Sequence, residues 1–135
     1  MKKSLLLLLV LLFIKPLILF AQFSLTIELN NLRNNNGQIL LQIYDENQNK
    51  VKGAYGSIIN KKCVIIIENL KSGRYAFKYF HDENKNDKLD TNWIGIPNEG
   101  YGFSNNAKGT FGPPSFEKWI FQIKDNKKMI CNPNY

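Results

Sequence analysis

From residue 23 onward, apolar and polar residues alternate along much of the chain with a period of about two rather than 3.6. In the segment FSLTIEL every second residue is apolar, namely Phe23, Leu25, Ile27 and Leu29. Successive side chains of a β-strand point to opposite faces, so this pattern predicts a strand with one buried face. The segment RYAFKYF shows the same alternation, and GQILLQIYD is predicted to be a further strand.

The order of these strands predicts the fold class. FSLTIEL and GQILLQIYD flank an Asn- and Gly-rich turn, and we expect them to pair as a hairpin. The segment KKCVIIIENL is apolar on both faces, which indicates a central, buried strand. The remaining expectations are a polar connection at 45–56, a short strand at 57–59 and a last strand at 117–125. We therefore predict an all-β domain, a single antiparallel β-sandwich of about seven strands.

One long segment interrupts the strand pattern. Residues 82–115 are rich in Gly, Asn and Pro and carry several aromatic residues. An irregular insertion of this length in a compact domain is usually either functional or disordered. The aromatic residues supply apolar area that can pack, so we expect an ordered and functional loop.

The N-terminus carries the features of an export signal. Lys2 and Lys3 precede an unbroken apolar run from Leu5 to Ile14, and Ala21 is a small residue suited to cleavage. A retained membrane anchor is the alternative, but Lys15 and the following Pro shorten the run below the roughly 20 residues that a spanning helix needs. We predict a signal peptide at 1–21, a β-sandwich domain at 22–135, and a periplasmic or extracellular location without an integral membrane segment.

Charge and cysteine content narrow the function classes. The net charge is +7, but three of the lysines belong to the predicted signal peptide and the others are scattered. No basic helix or long basic run is present, so nucleic-acid binding is not expected. In an oxidising compartment Cys63 and Cys131 could form a disulfide; the alternative is one buried strand thiol and one thiol in a loose tail.

The stretch HDENKNDKLD has the composition of a cation loop. Its oxygen-bearing residues follow the spacing D-x-N-x-N-x-x-x-D, and the candidate ligands are the side chains of Asp82, Asn84, Asn86 and Asp90 with the carbonyl of Lys88. Calcium takes six to eight oxygen ligands, and alternate residues of a tight loop can aim their side chains inward. The sequence therefore predicts a Ca²⁺ site here.

The loop departs from an EF-hand at two positions. Asp87 stands where that motif has the Gly of its sharp turn, and Trp93 stands where it has a bidentate Glu. With two charged side-chain ligands, the site is expected to be weak, in the range of about 10⁻⁴ to 10⁻³ M used by extracellular modules. The alternative is an Asx-rich turn whose side chains bond to their own backbone.

Other chemistry in the sequence is sparse. His81 is the single histidine, and a lone histidine after a strand is more often packed than catalytic. Glu83, Asp87 and Glu99 offer carboxylates for a hydrolase, with solvated surface charge as the alternative. A possible ligand platform for a glycan or peptide consists of Trp93, Glu99, Tyr101 and Phe103, with packing of the loop onto the sandwich as the alternative.

Several motifs together resemble a known family. They are G-x-Y-A at 73–76, the HDEN-N-x-LD loop, G-I-P at 95–97 and E-G-Y-G-F-S at 99–104. With these motifs the segment from GQILLQIYD to Phe121 is similar to the bacterial family called domain of unknown function 2141. The resemblance implies export and a sandwich of the transthyretin or carboxypeptidase-regulatory type, related to the immunoglobulin-like folds. It implies no enzymatic activity.

The sequence thus favours an exported binding or accessory module with a calcium-stabilised Asp/Asn loop. Its expected partner is a glycan, a peptide or a surface protein. Two alternatives remain at this point, namely a small carboxylate-based hydrolase acting in the 82–115 loop and a purely structural surface protein.

Overall fold

The structure, a computed structural model, describes residues 20–135. All but the last two residues of the predicted signal peptide lie outside these described residues. The described residues form eight strands and two helices of a single turn. The strands are β1 (Gln22–Leu29), β2 (Gln38–Asp45), β3 (Lys50–Gly56), β4 (Cys63–Lys71), β5 (Gly73–Asp82), β6 (Tyr101–Phe103), β7 (Phe121–Ile123) and β8 (Lys127–Cys131). The helices are a 3₁₀ turn (Ser104–Asn106) and α1 (Phe116–Trp119).

The strands form two sheets, which confirms the predicted all-β sandwich. One sheet has the order β4-β1-β8, and the other has the order β3-β2-β5-β6, with β7 also paired to β5. All pairs within the two sheets are antiparallel except β1 with β8, which is parallel. The long loop begins after β5 ends at Asp82, and the chain then returns as β6, which pairs with β5. Both ends of the 83–100 segment are therefore attached to the larger sheet.

The core lies between the two sheets and follows the predicted alternation. The smaller sheet contributes Leu25, Ile27 and Leu29 from β1 and Ile65 and Ile67 from β4. The larger sheet contributes the inward residues of β2 and β5, which are Ile39, Leu41, Ile43, Tyr75, Phe77 and Tyr79. Each fully buried side chain of this size contributes about 1.5–3 kcal/mol relative to exposure, so this core is the main source of stability.

The prediction that the first two strands pair as a hairpin is wrong. β1 pairs with β4 and β8, whereas β2 pairs with β3 and β5, so the first two strands lie in different sheets. The connection between them buries Leu32, which is 1% exposed. With Leu32 packed into the core, this connection crosses from one sheet to the other and does not form a tight turn.

Other strand assignments also differ from the prediction. The segment 117–125, expected to be the last strand, begins within the helical turn α1 and continues as the short strand β7. The segment 50–56, expected to be a polar connection, is the edge strand β3, and the C-terminal tail supplies β8. β4 lies at the edge of its sheet and not at the centre. Its outward residues Val64 and Ile66 are exposed, so only one face of the strand is buried. The short strand expected at 57–59 is reduced to a single bridge from Ile59 to Lys62.

Both cysteines are buried and unpaired. Cys63 and Cys131 lie opposite the same residue, Leu29, but on the two strands that flank it. Two inter-strand spacings amount to about 9.5 Å, and a disulfide requires Cα atoms within about 7 Å. The central strand therefore keeps the two thiols apart in this fold.

The long loop is packed against the outer face of the larger sheet through a second apolar cluster. Ala76, Phe103 and Trp119 form its buried centre. Trp119 contacts the rings of Phe103 and Phe116 edge-on, each with centroids 5.0 Å apart. The buried Ser104 hydroxyl donates to the carbonyl of Trp119, which ties the 3₁₀ turn to α1. This cluster fixes the second half of the loop.

Candidate functional site: the Asp/Asn loop

The loop begins at Asp82, the last residue of β5, whose exposed fraction is 0%. Its carboxylate accepts hydrogen bonds from the backbone N–H groups of Asn86 and Asp87, both at 3.0 Å. The side chain of Gln38 donates a third, at 3.1 Å. Asp82 therefore folds the following five residues around its own oxygens, as an Asx-type turn does.

The other predicted ligands converge on Asp90. The side-chain amide of Asn84 donates to its carboxylate at 2.6 Å, and that of Asn86 donates at 2.9 and 3.1 Å. The two amide oxygens accept backbone N–H groups, Asn84 from Asn86 and Asn86 from Lys88. The structure thus brings the four predicted side chains into one connected cluster, with Lys88 on the same turn.

Asp87 takes the left-handed backbone conformation that the position of the EF-hand glycine demands. Its φ is 61°, and Lys85 two residues earlier has φ 58°. Aspartate tolerates this region better than most residues, so the sharp turn forms without glycine. The side chain of Asp87 accepts a hydrogen bond from Gln38 at 3.1 Å.

Glu99 closes the loop from its far end. This residue is 4% exposed, and its two carboxylate oxygens accept the backbone N–H groups of Glu83 (2.8 Å) and Asp90 (3.0 Å). The carboxylate therefore clamps the first and last residues of the turn together. The sequence had placed Glu99 in a ligand platform, and the structure places it against the loop backbone.

The buried carboxylates of the loop receive only neutral donors. Within residues 20–135, neither Asp82 nor Glu99 forms a salt bridge. By contrast, Glu83 pairs with Arg33 and accepts the side-chain amide of Asn34 at 2.8 Å. Partial burial acts to raise the pKa of Glu83, but the bonds from Asn34 and Arg33 outweigh it and hold the pKa below its usual value. The Arg33 guanidinium is thus paired with Glu83 and not with Asp82 or Glu99.

The remaining platform residues do not form one surface. Trp93 is 95% exposed at the tip of a tight turn, where Asn92 caps the N–H groups of Ile94 and Ile96. Phe103 is buried in the second apolar cluster, and its ring meets that of the half-buried Tyr101 edge-on. Trp93 thus lies on an exposed turn, whereas Tyr101 and Phe103 pack in the second apolar cluster, and Glu99 lies between them in the sequence.

His81 is fully buried and bonded on both ring nitrogens. Nε2 donates to the carbonyl of Asn36 at 2.7 Å, which assigns the proton to this nitrogen, and Nδ1 accepts the Tyr135 hydroxyl at 2.8 Å. The Tyr135 oxygen in turn accepts the backbone N–H of Arg33 at 3.0 Å. The Arg33 guanidinium lies over the Tyr135 ring, 4.8 Å from its centroid. His81 thus packs the C-terminus against the base of the loop.

Sequence reasoning missed the residues that support the loop from outside. Arg33, Gln38 and Tyr135 come from distant parts of the chain, and no local pattern marks them. For Gln38 alone the sequence contained a hint of such a role, since it is a polar residue at the start of a predicted strand. Its side chain bridges Asp82 and Asp87.

Comparisons with known proteins identify the family. Residues 27–131 match the family described as "Uncharacterized protein conserved in bacteria (DUF2141)". The chain belongs to this family. The match runs from within β1 to the end of β8, so the DUF2141 region includes both sheets and the whole Asp/Asn loop. This confirms the resemblance expected from the sequence motifs.

No curated protein and no solved structure matches the chain. In the part of the chain that the structure describes, no helix has the length and apolar character needed to cross a membrane. Within residues 20–135, no three His, Cys, Asp or Glu side chains are grouped so as to hold a metal ion.

Proposed function

We propose that this protein is an exported binding or accessory module whose loop at 82–90 binds Ca²⁺. The proposed ligands are the side chains of Asp82, Asn84, Asn86 and Asp90 and the carbonyl of Lys88. Export is supported by the charged and apolar segment at 1–21. The ion would stabilise the loop that joins β5 to β6, and so the end of the larger sheet.

The observation that carries the calcium proposal is the uncompensated charge of the loop. Asp82 and Glu99 are 0% and 4% exposed, yet their partners are neutral N–H groups. Buried charges in proteins are normally paired with an opposite charge or coordinate a metal. Asp90 carries a further carboxylate of the loop, which is bonded to both asparagine amides. A divalent cation supplies the missing positive charge.

The loop has oxygen donors to offer such an ion after a small rearrangement. At present the NH₂ groups of Asn84 and Asn86 face the Asp90 carboxylate. Turning each amide about its last side-chain bond would present its oxygen to the same region. The ion would then lie between Asp90 and two neutral oxygens, with Asp82 and the Lys88 carbonyl adjacent in the turn. Hard oxygen ligands of this kind suit Ca²⁺.

The low number of charged ligands supports a weak affinity. A dissociation constant of about 10⁻³ M, typical of extracellular calcium modules, implies that about 10 mM calcium stabilises the fold by about 1.4 kcal/mol. For a domain of this size, that corresponds to an increase in Tm of about 5 °C. Magnesium, which prefers strict octahedral geometry and releases water reluctantly, should give a smaller shift.

Thermal unfolding with and without calcium tests this proposal. We expect the increase in Tm to be reversed by excess chelator and to be lost in Asp90→Asn. Asp125→Asn is the matched control, because this aspartate is exposed in the turn between β7 and β8, away from the loop. An unchanged Tm of the unsubstituted protein at about 10 mM calcium, or an equal response of both variants, would refute the calcium site.

A further inference from the structure

The outer face of the larger sheet carries an open groove where β3, β2 and β5 lie side by side. The groove has a volume of about 370 Å³. Strand register places Tyr55, Leu40 and Phe80 in one row across its floor. Tyr55 is 65% exposed, and the other two are half-buried. These residues give the floor of the groove an apolar strip.

The next row creates the depression and supplies a hydrogen-bond acceptor. Gln42 lies opposite Gly53, which has no side chain to fill the space. The amide nitrogen of Gln42 donates to the carbonyls of Ile43 and Lys52, both at 3.0 Å. Its oxygen then faces Gly53, and residues 20–135 supply no donor for it. An outside hydroxyl or N–H group can satisfy this acceptor.

The groove is also cationic at one end. Lys50 and Lys78 line it, and neither forms a salt bridge within the described residues. The Lys78 ammonium lies 5.4 Å from the ring centroid of Tyr44, a cation–π contact with another residue of the lining. The one carboxylate in the lining, that of Asp87, accepts the side-chain amide of Gln38 and does not pair with either lysine. Two lysines against one carboxylate leave the lining with a net positive charge, which favours an anionic ligand.

We propose that this groove binds an acidic polysaccharide, whose sugar rings carry carboxylates. This inference rests on the proposed role as a binding module and names the class of its ligand. Sugar rings present C–H faces that can pack on Tyr55 and Phe80, and hydroxyls that can donate to the Gln42 oxygen. Their carboxylates can pair with Lys50 and Lys78. The three features of the groove thus correspond to three features of one ligand.

An acidic peptide fits the groove less well. The N–H and C=O groups of strands lie in the plane of the sheet, so the face of the sheet offers few partners to a peptide backbone. Within the groove, the free acceptor is a side-chain oxygen of one residue, Gln42. A peptide backbone bound there would leave most of its polar groups unpaired, which is costly when they lose water.

Titration calorimetry with oligogalacturonate, a chain of uronic acids, tests the proposal. A neutral cello-oligosaccharide of equal length and a poly-glutamate peptide serve as comparison ligands. The titrations use buffer with chelator, because oligogalacturonate binds calcium itself. We expect binding of oligogalacturonate alone, weakened by added salt because the lysines are exposed.

Variants locate the binding site. Lys78→Ala and Tyr55→Ala should each weaken binding about tenfold, since each removes a charged or an aromatic contact. Lys124→Ala is the matched control, an exposed lysine that follows β7, outside the groove. It should bind as the unsubstituted protein does. Melting curves of all variants confirm that each is folded.

The outcomes separate this inference from the calcium proposal. Absence of oligogalacturonate binding, equal binding of the neutral glycan or of poly-glutamate, or an equal loss in Lys124→Ala would each overturn the inference. A Tm that rises with calcium, without glycan binding, would contradict the proposal for the groove and support the proposal for the loop. Glycan binding by a protein whose Tm does not change with calcium would contradict the calcium proposal and support the proposal for the groove. The two results are independent because Lys78 and Tyr55 are not among the proposed ion ligands.

Discussion

At the scale of single residues, the turn before β2 depends on a glycine. Gly37 has a φ of 72°, and a Cβ atom at this position would lie 1.9 Å from the carbonyl oxygen of Asp82. The close approach brings the start of β2 next to the first loop residue and places Gln38 to donate to it. A side chain at position 37 would thus disturb both the backbone and the entry to the loop.

We expect Gly37→Ala to lower the free energy of unfolding by about 2 kcal/mol or more, because it combines a left-handed φ with a backbone collision. Gly53→Ala is the matched control, since the nearest atom to its added Cβ would be 3.6 Å away. Its effect should stay within about 0.5 kcal/mol. Urea unfolding of both variants measures the difference, and equal stabilities would contradict the described turn.

Also at the scale of single residues, the two buried cysteines have thiols whose pKa values are raised. Burial raises the pKa of Cys63 to about 11 and raises that of Cys131 as well. Because the folded-state pKa lies above the unfolded value of about 8.5, the thiols favour folding below pH 8.5. That contribution declines as pH rises from there toward the folded-state pKa.

We therefore expect both cysteines to react slowly with a thiol reagent at pH 8 in the folded protein, because thiolate is scarce and access is blocked. Unfolding in denaturant without reductant should expose two reactive thiols. Colorimetric thiol counting measures both states. Fast labelling of the folded protein would show that the thiols are accessible, and absence of thiols after unfolding would show that a disulfide forms.

At the scale of elements, the two tryptophans contrast directly. Trp119 in α1 is 9% exposed and meets the rings of Tyr44, Phe103 and Phe116. Trp93 projects from the loop turn with almost no cover. The sequence presents both as aromatic residues among Gly and Pro, so it could not tell the packing residue from the exposed one.

We expect Trp119→Ala to destabilise the protein by about 3 kcal/mol through loss of packing in the second apolar cluster, and Trp93→Ala to change stability by less than about 0.5 kcal/mol. Chemical unfolding followed by circular dichroism measures both. A large effect of Trp93→Ala would mean that this side chain packs against the protein in solution.

The alternation of residues predicted which segments are strands better than it predicted which strands are neighbours. β1, β2 and β5 follow the pattern, because their inner faces build the core. β4 looked central because its outer residues are also apolar, but apolar residues on an edge strand give the same pattern. β3 escaped notice because it is a largely exposed edge strand, with few apolar residues to reveal it.

At the scale of the whole molecule, the C-terminus closes the fold against the loop. Tyr135 bonds to the ring of His81 and to the backbone of Arg33, residues from two distant segments. Its ring also covers Gly100, where an added Cβ would lie 2.4 Å from the nearest ring atom. Such long-range contacts depend on the folded arrangement and leave no local pattern in the sequence.

We expect Tyr135→Phe to lower the free energy of unfolding by about 1–2 kcal/mol, because the buried Nδ1 of His81 and the Arg33 N–H lose their partner. Tyr55→Phe is the control, since its ring is largely exposed on the sheet surface. Denaturant unfolding at pH 7 compares the two. Equal stabilities would mean that solvent replaces the Tyr135 hydroxyl without cost.

The Asp/Asn loop shows the same division between local and distant information. Its oxygen-bearing residues, and the position of its sharp turn at Asp87, could be predicted from a ten-residue stretch of sequence. The Glu99 clamp and the neutral surroundings of Asp82 did not, because they depend on how β6 and β2 meet the end of β5. The calcium proposal rests on both kinds of information.

A crystal structure grown in about 10 mM calcium tests the central proposal most directly. We predict one ion in the loop with six to eight oxygens at about 2.3–2.6 Å. These oxygens should include Asp82, Asn84, Asn86, Asp90 and the carbonyl of Lys88, with both asparagine amides turned so that oxygen faces the ion. A loop without an ion, in which the Asn84 and Asn86 nitrogens still donate to Asp90, would contradict the account.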